Sequence, residues 1–270
     1  MDTILVATDF SESSINAMNY ACAFAKDNNC KIALVHIYTI PSTYTGEGLS
    51  LATVNDALSS EKDMLQLELD RVHTAFPDVQ VDGQMMIGGF LESLQELNKE
   101  LSLRAIVMGA NMEYSDLTLW DSDWLNALIT VTCPILVVPP HITYKPVKHI
   151  ALACDYKSPC LPEQVKLIKN IVKTAEGQLY IVHVTPKASL VDTNKNVATV
   201  RQAFDDVKPE YHVVEDKYVI KGVSDFVKTK GIDLLIVIPH KHGLWYSLFN
   251  KSYTKQLANL NHLPVLAIHD

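Results

Sequence analysis

The sequence lacks several features that would assign it to a specialised class of protein. No apolar run in its 270 residues approaches the roughly 20 residues that a membrane-spanning helix requires. The five cysteines include no C-x-x-C pair, so neither a disulfide framework nor a zinc ribbon is indicated. The first residues lead into strand-like sequence without a basic or cleavable apolar segment. We therefore expect a cytoplasmic protein with reduced thiols and no membrane partner.

Positive charge is also scarce. Lys and Arg number 23 against 31 Asp and Glu, which gives a formal net charge of −8. Neutralising a phosphate backbone requires clustered basic residues, so this balance argues against a nucleic-acid partner. At 48% hydrophobic and 20% charged, the composition is typical of a folded globular protein long enough for two domains.

The most informative feature present is a repeat. Residues 3–10 and 149–156 are apolar runs that end in Asp and an aromatic residue, and each leads into a helical pattern. Both halves also end on Pro followed by an apolar run. The repeat predicts two similar domains, which we place at residues 1–140 and 147–270, on either side of a proline-rich hinge.

Each half alternates short apolar runs with helical patterns. Continuous Ile, Val and Leu runs indicate strands that are buried on both faces, as in a parallel sheet covered by helices. The predicted strands are residues 4–7, 32–37, 84–87, 105–108 and 135–138, then 150–153, 179–184, 218–220, 234–238 and 265–268. The predicted helices are residues 15–25, 53–76, 91–100 and 123–131, then 164–175, 193–207, 223–230 and 252–260. This alternation predicts right-handed crossovers and a doubly wound α/β fold.

A ligand site is expected where the strands end. In an open parallel sheet, ligands bind beyond the carboxyl ends of the strands, at the point where strand order reverses. Asp9 follows the first strand of one half, and Asp155 follows the corresponding strand of the other. Either carboxylate could accept a hydrogen bond from a ligand amine. Alternatively, Asp9 or Ser11 accepts hydrogen bonds from free backbone N–H groups at the helix start. The sequence leaves both interpretations open.

Histidines raise the question of a metal site. His36 and His183 lie inside apolar strands, so we expect core histidines with a backbone partner. His240 and His242 alternate at a predicted strand end, a spacing that two metal ligands can share. A competent site needs a third and fourth ligand of suitable type, and no nearby Cys, Asp or Glu presents itself. We therefore predict no metal site.

The ordered set of motifs resembles the universal stress protein family in its tandem form, over essentially the whole chain. The resemblance rests on residues 4–12, 34–37, 105–109 and 133–138, and on 152–155, 181–184, 236–239 and 263–266. Family members are α/β domains with a five-stranded sheet, many bind ATP or AMP, and they pair through the last strand. The resemblance implies two tandem doubly wound five-stranded parallel-sheet domains, similar to adenine nucleotide alpha hydrolases. It also implies an internal pseudo-dimer joined through residues 135–138 and 265–268, with a further homodimer as a candidate assembly.

The family's nucleotide signature is a glycine, two residues, a glycine, about nine residues, then Gly-Ser or Gly-Thr. Glycines let the backbone approach phosphates, and a hydroxyl at a helix N-terminus joins the exposed N–H groups. In the first copy, Gly109 matches the first glycine, while Met112 and Asp121 depart from the pattern. In the second copy, Pro239 stands at the first glycine, and Lys251 precedes the serine.

The two phosphate ends therefore differ in charge. Aspartates surround the first, whereas the second is cationic and rich in donors, so a triphosphate is expected to favour the second copy. The alternative for the second is a solvated loop with a helix capped by Ser252. By family position, the expected contacts to ATP or AMP are Ala7, Thr8, Asp9, Ile37, Met108, Gly109 and Ser122, and Asp155, Val184, His240, His242, Lys251 and Ser252.

No catalytic residues are predicted. The sequence contains no Gly-x-Ser-x-Gly elbow and no Walker loop, so we expect no enzyme. The resemblance implies a stress-response regulatory module or a sensor of adenine nucleotides. Two alternatives stay open. One is a structural or interaction protein that has lost both nucleotide sites, and the other is a small-ligand binder that uses an apolar cleft near the loop at residues 41–48.

Overall fold

The computed structural model describes residues 1–40, 51–110, 131–156, 160–186, 196–239 and 262–269. The chain divides into two compact units, and the main boundary between them falls between Tyr144 and Lys145. This boundary lies in the proline-rich segment of the sequence. No helix in the described ranges is both long and apolar enough to cross a bilayer.

The first unit is a parallel sheet with helices in its crossovers. Its elements are β1 (Thr3–Thr8), α1 (Glu12–Asn28), β2 (Lys31–Tyr38), α2 (Leu51–Ala75), β3 (Val81–Ile87), α3 (Phe90–Leu101), β4 (Leu103–Gly109) and β5 (Ile135–Val138). The strand order is β3-β2-β1-β4-β5, and every described pairing within the unit is parallel. Strand order reverses at β1, because β1 pairs with β2 on one side and with β4 on the other.

The second unit repeats this topology. Its elements are β6 (His149–Ala153), α4 (Pro162–Ala175), β7 (Gln178–Thr185), α5 (Asn196–Phe204), a 3₁₀ turn (Asp205–Val207), β8 (Glu210–Glu215), α6 (Val219–Lys230), β9 (Leu234–Val237) and β10 (Val265–Ala267). The strand order is β10-β9-β6-β7-β8, again with parallel pairings. The predicted doubly wound α/β fold with two five-stranded sheets is therefore confirmed. The joining of the last strands into a pseudo-dimer stays a prediction.

The central strands form the core of each unit. Every residue of β1 and of β9 is buried, which agrees with their continuous apolar sequences. On the first sheet, α1 contributes Ala17, Met18 and Cys22, all of them inaccessible to solvent. For these central strands, the apolar runs were correctly interpreted as strands covered on both faces. For residues 84–87 the interpretation was wrong, because β3 is the outer strand of the first unit and most of its residues are exposed or half-buried.

One predicted strand was wrong. Residues 218–220 were predicted as the third strand of the second half, but Tyr218 is the N-cap of α6, and the strand is β8, Glu210–Glu215. In the described sheet β8 pairs only with β7, and each of its residues is exposed or half-buried. An edge strand of this kind has no continuous apolar run to reveal it. The predicted helices at 123–131 and 252–260 lie mostly or wholly outside the described residues.

Candidate functional site

The loop after β1 forms the first half of the candidate site. Ser11 is the N-cap of α1, and its hydroxyl accepts a hydrogen bond from the Ser14 N–H at 3.3 Å. Asp9 Oδ1 accepts from the Ser11 N–H at 3.0 Å and also from the Ser11 hydroxyl. The capping interpretation is therefore confirmed for Ser11, with Asp9 as the group that positions it. The Asp9 side chain is still exposed to solvent at the carboxyl edge of the sheet.

The electrostatics of Asp9 decide what it can bind. Desolvation by the loop raises the pKa of this carboxyl, but hydrogen bonds donated by the Ser11 hydroxyl and N–H outweigh it, so the pKa lies below its ordinary value. The group is consequently ionised at neutral pH and acts only as an acceptor. Such a carboxylate suits an amine or a hydroxyl of a ligand, and it repels a phosphate.

Thr8 uses its side chain within the loop. Its buried hydroxyl accepts a hydrogen bond from the Phe10 N–H at 3.0 Å and shares another with the Ser14 hydroxyl at 3.1 Å. These contacts fix the chain on either side of Asp9. The role of the Thr8 hydroxyl in the structure is therefore to shape the loop.

His36 locks the end of β1 from the neighbouring strand. Its Nδ1 lies 2.9 Å from the Thr8 carbonyl oxygen, and because a carbonyl only accepts, Nδ1 carries the proton. The buried ring lies beside Phe10, with 4.5 Å between ring centroids. Phe10 has a left-handed backbone with a φ of 62°, which turns its ring over the histidine. The prediction of a core histidine with a backbone partner is confirmed.

The other nitrogen of His36 faces a carboxylate. Its Nε2 lies 3.1 Å from Glu61 Oε2, on helix α2. Since Nδ1 is committed to the Thr8 carbonyl, Nε2 can donate to Glu61 only when the ring is doubly protonated. Double protonation of this one imidazole would therefore link the end of β1 to α2.

The second unit contains the same arrangement. His183 Nδ1 lies 2.8 Å from the Cys154 carbonyl oxygen, and the His183 ring lies 4.8 Å from that of Tyr156. Tyr156 has a φ of 53°, and its carbonyl accepts a hydrogen bond from the Asn196 side chain at 2.9 Å. Asp155 therefore occupies the position in this loop that Asp9 occupies in the first.

Gly109, at the end of β4, is needed for close packing. A Cβ built on it would lie 2.4 Å from both the carbonyl carbon and the oxygen of Ser13, and 2.7 Å from the Ser14 nitrogen. Because these are backbone atoms of α1, no side-chain rotation relieves the clash. A glycine that the family signature assigns to phosphate contact thus has a structural role in bringing β4 against the start of α1.

The remaining predicted contacts divide by accessibility. Ala7, Met108 and Val184 are buried, whereas Ile37 and Asp155 are partly exposed. Five predicted contacts lie outside the described residues: Ser122, His240, His242, Lys251 and Ser252. The structure therefore brings Asp9 and Gly109 to the same edge of the first sheet, and it describes neither phosphate end.

Across the described ranges, no group of three or more His, Cys, Asp or Glu side chains could hold a metal ion. His240 and His242, whose spacing raised the question of a metal site, lie outside those ranges.

Sequence reasoning missed the aromatic residue of each loop. Phe10 and Tyr156 were noted only as parts of the repeated motif, yet each adopts a left-handed backbone and covers the histidine of the next strand. The available signal was that both halves carry Asp followed by an aromatic residue, together with a histidine in the second strand. Because the aromatic residue and the histidine recur together in both halves, their recurrence could have indicated that the two side chains are in contact.

Comparisons with known proteins agree with this architecture. The chain is similar over nearly its full length to a universal stress protein from Archaeoglobus fulgidus, with a TM-score of 0.72, 16% identity, and coverage of 99% of this chain and 96% of that one. A putative universal stress protein from Pseudomonas aeruginosa matches with a TM-score of 0.55 and 13% identity, and the match covers 100% of this chain and 93% of that one. At such identities the likeness supports the fold alone.

A third structure has a ligand. A universal stress protein family protein from Arabidopsis thaliana with AMP bound matches at a TM-score of 0.35 and 16% identity, covering 51% of this chain and 90% of that one. No curated protein sequence matches the chain significantly. The model of the universal stress protein family matches residues 1–139, about half of the sequence. With its repeated second half, the chain belongs to the universal stress protein family as a tandem member.

Proposed function

We propose that the protein is a stress-linked regulatory module that senses an adenine nucleotide and does not turn it over. The observation that carries this proposal is the duplicated loop that presents Asp9 and Asp155 at the carboxyl edge of each sheet. That edge is where open parallel sheets bind ligands. Membership of the family makes an adenine nucleotide the first ligand to test.

The chemistry of Asp9 supports the adenine end of such a site. An ionised carboxylate with a lowered pKa accepts hydrogen bonds from the exocyclic amine of adenine or from a ribose hydroxyl. The His36 contact and the Ser11 cap hold the carboxylate in place before a ligand arrives. A site organised in advance loses less entropy on binding.

The two copies are expected to differ. In the sequence, the phosphate end of the second copy carries His240, His242 and Lys251, whereas that of the first carries aspartates. We therefore expect ATP to bind the second copy more tightly than the first. The difference in affinity between the two copies is expected to be smaller for AMP than for ATP, because AMP carries fewer negative charges at its phosphate end.

The proposal is tested by identifying and titrating the ligand. Small molecules released from the purified full-length protein by denaturation are identified by mass spectrometry, and ATP and AMP are titrated by calorimetry. We expect Asp155→Ala to weaken ATP binding by roughly tenfold or more, since a hydrogen bond to a charged group contributes about 1.5–3 kcal/mol. Asp9→Ala is expected to weaken it less.

A matched control removes the same charge elsewhere. Asp78 pairs with Lys26 in the last turn of α1, at the opposite end of that helix from Asp9, so Asp78→Ala changes net charge without touching that loop. It is expected to leave affinity unchanged. A stronger loss from Asp9→Ala would overturn the preference for the second copy. Absence of ATP and AMP binding to the wild-type protein would overturn the proposal and favour the structural or interaction protein.

A further inference from the structure

The buried imidazole of His36 has one nitrogen that the fold leaves without a hydrogen bond. Its Nε2 is shielded from solvent and has no hydrogen-bond partner among the described residues. Glu61 Oε2, on helix α2, nevertheless lies 3.1 Å from it. In the neutral ring the single proton is on Nδ1, so Nε2 is an acceptor, as is the carboxylate. Two acceptors therefore face each other with no proton between them.

The end of β1 fixes which nitrogen of His36 is free to take up a proton. Nδ1 lies 2.9 Å from the Thr8 carbonyl oxygen, which can only accept, so Nδ1 keeps its proton. Phe10 packs beside the ring, with 4.5 Å between centroids. A second proton must therefore be on Nε2, next to Glu61. It converts the contact between two acceptors into a charge-assisted hydrogen bond.

The sheet places no other charge beside the ring. On the loop after β1, the carboxylate of Asp9 is exposed and accepts hydrogen bonds from Ser11. On β3, the residue paired with His36 is Met85, which is uncharged. Within β2 itself, the neighbouring titratable side chain is Tyr38, which is half-buried. None of these side chains is an acidic partner for Nε2.

The helices near β2 contribute one carboxylate to the ring. On α2 the second acidic residue of the inner face, Glu68, is bonded by Arg71 at 2.7 Å. At the adjoining end of α1, Glu12 is exposed. Helix α3 also contacts β2, and its charged residues are all exposed: Glu92, Glu96, Lys99 and Glu100. Among the described residues, Glu61 is therefore the acidic group that controls the state of Nε2.

The second unit provides an internal comparison. His183 Nδ1 lies 2.8 Å from the Cys154 carbonyl oxygen, and its ring packs beside Tyr156 as that of His36 packs beside Phe10. In the part of the chain that the structure describes, however, no carboxylate pairs with His183. The two histidines thus share the anchored nitrogen, and His36 has an acidic partner in addition.

The first half of α2 is the segment that this contact can affect. No residue from 53 to 64 is fully buried, whereas Leu65 and Val72 in the second half are part of the core. Arg71 also donates to Asn19 of α1 at 2.9 Å, which holds the second half of the helix. The packing of residues 53–64 is therefore weak enough for one hydrogen bond to change how often they open.

We propose that the His36–Glu61 pair is a proton-dependent contact that regulates how firmly the first half of α2 is held against the end of β1. At low pH the imidazolium donates to Thr8 and to Glu61, and so joins the two elements. At high pH the proton leaves Nε2, and the facing acceptors repel each other. The bound proton favours the docked helix, so docking strengthens as the pH falls and weakens as it rises. This inference does not depend on nucleotide binding.

Hydrogen exchange in the full-length protein without ligand tests the proposal. Exchange of the amides of residues 53–64 is measured at about pH 5.5 and about pH 8.5, on either side of the ordinary histidine pKa of about 6.5. Because intrinsic exchange rates also depend on pH, each rate is compared with that of a variant at the same pH. Glu61→Gln is the decisive variant, since its amide can donate to the neutral Nε2 without an added proton.

The expected result is a difference that appears only at the higher pH. At about pH 8.5, residues 53–64 are expected to exchange roughly tenfold faster in the wild-type protein than in Glu61→Gln, which keeps its hydrogen bond to Nε2. At about pH 5.5, the wild-type protein is expected to exchange no faster than the variant. Asp63→Asn removes an exposed charge from the same helix and is expected to match wild type at both pH values.

The imidazole nitrogens give a second readout that does not depend on opening of the helix. Their NMR signals are expected to show His36 with two protons at about pH 5.5 and with a proton on Nδ1 alone at about pH 8.5. A single proton on His36 at the lower pH would overturn the inference. So would a ratio of wild-type to Glu61→Gln exchange that is the same at both pH values. The NMR result needs only the wild-type protein, so it decides even if the variant fails to fold.

Discussion

Gly109 at the end of β4 lies against the backbone of Ser13 in α1, so closely that a Cβ on Gly109 would come within 2.4 Å of the Ser13 carbonyl. We expect Gly109→Ala to lower the free energy of unfolding by about 2 kcal/mol, because helix and strand must move apart. Urea denaturation followed by circular dichroism measures the effect.

The control for this prediction is another crowded glycine. A Cβ on Gly83 would meet only the side-chain end of Leu69, which can rotate away. Gly83→Ala is expected to change the free energy of unfolding by no more than about 0.5 kcal/mol. Equal costs at both positions would contradict the role assigned to the backbone of Ser13.

The histidine contacts predict a second stability effect. Leucine at His36 or His183 would leave the carbonyl of Thr8 or Cys154 without its side-chain donor. We expect each substitution to cost about 1–3 kcal/mol of unfolding free energy, with the larger cost at the more buried His36. Thermal and urea denaturation of both variants provide the measurement.

His73 distinguishes burial from hydrogen bonding in the same experiment. Its Nε2 lies 3.1 Å from the carbonyl oxygen of Val81, but the side chain is exposed. After substitution, a water molecule can therefore donate to that carbonyl in place of the imidazole. His73→Leu is therefore expected to stay within about 0.5 kcal/mol of the wild-type protein. A cost as large as that of His36→Leu would count against the argument.

Asp233 predicts a dependence of stability on pH. Burial raises the pKa of this carboxyl, but hydrogen bonds from the Lys145 ammonium and from the N–H groups of His149 and Lys148 outweigh it, so the pKa is lowered. A depressed folded-state pKa stabilises the protein above the ordinary Asp value of about 3.9. That stabilisation is lost as the pH falls through the lower, folded-state pKa.

Asp233→Asn tests this relation. The variant is expected to lose about 1.5–3 kcal/mol of unfolding free energy at pH 7, because an amide replaces an acceptor of charge-assisted hydrogen bonds. Urea denaturation at several values of pH should show the gap to wild type narrowing below about pH 4. The exposed Asp78→Asn is the control, and a gap that does not change with pH would refute the prediction.

ATP hydrolysis provides a fourth prediction. Phosphoryl transfer requires a held metal, a positioned nucleophile and cationic groups. Residues 111–140 contain no Lys or Arg, and no carboxylate lies between Pro239 and Pro264. We expect phosphate release far below the roughly 10 per second of a typical enzyme. Release near that rate, abolished by Asp155→Ala or Lys251→Ala, would show that the protein is a catalyst.

Local pattern was enough to predict most elements of the fold. The apolar runs that became β1 and β9 are buried on both faces, and burial on both faces requires apolar residues without alternation. Strand β8 escaped prediction because it lies at the described edge of its sheet, where Glu210, Val213 and Glu215 are exposed and the other residues are only half-buried. The signal for a strand therefore weakens where the sheet ends.

The sequence by itself determined that there are two α/β units, that each presents an aspartate where its first strand ends, and that each second strand carries a histidine with a backbone partner. These features follow from repetition and from local burial, both of which are visible along the chain. Only the tertiary structure decided that Gly109 serves close packing against Ser13 and that the ring of Phe10 covers His36. Such contacts depend on distances between atoms that folding brings together, and residue spacing alone does not determine those distances.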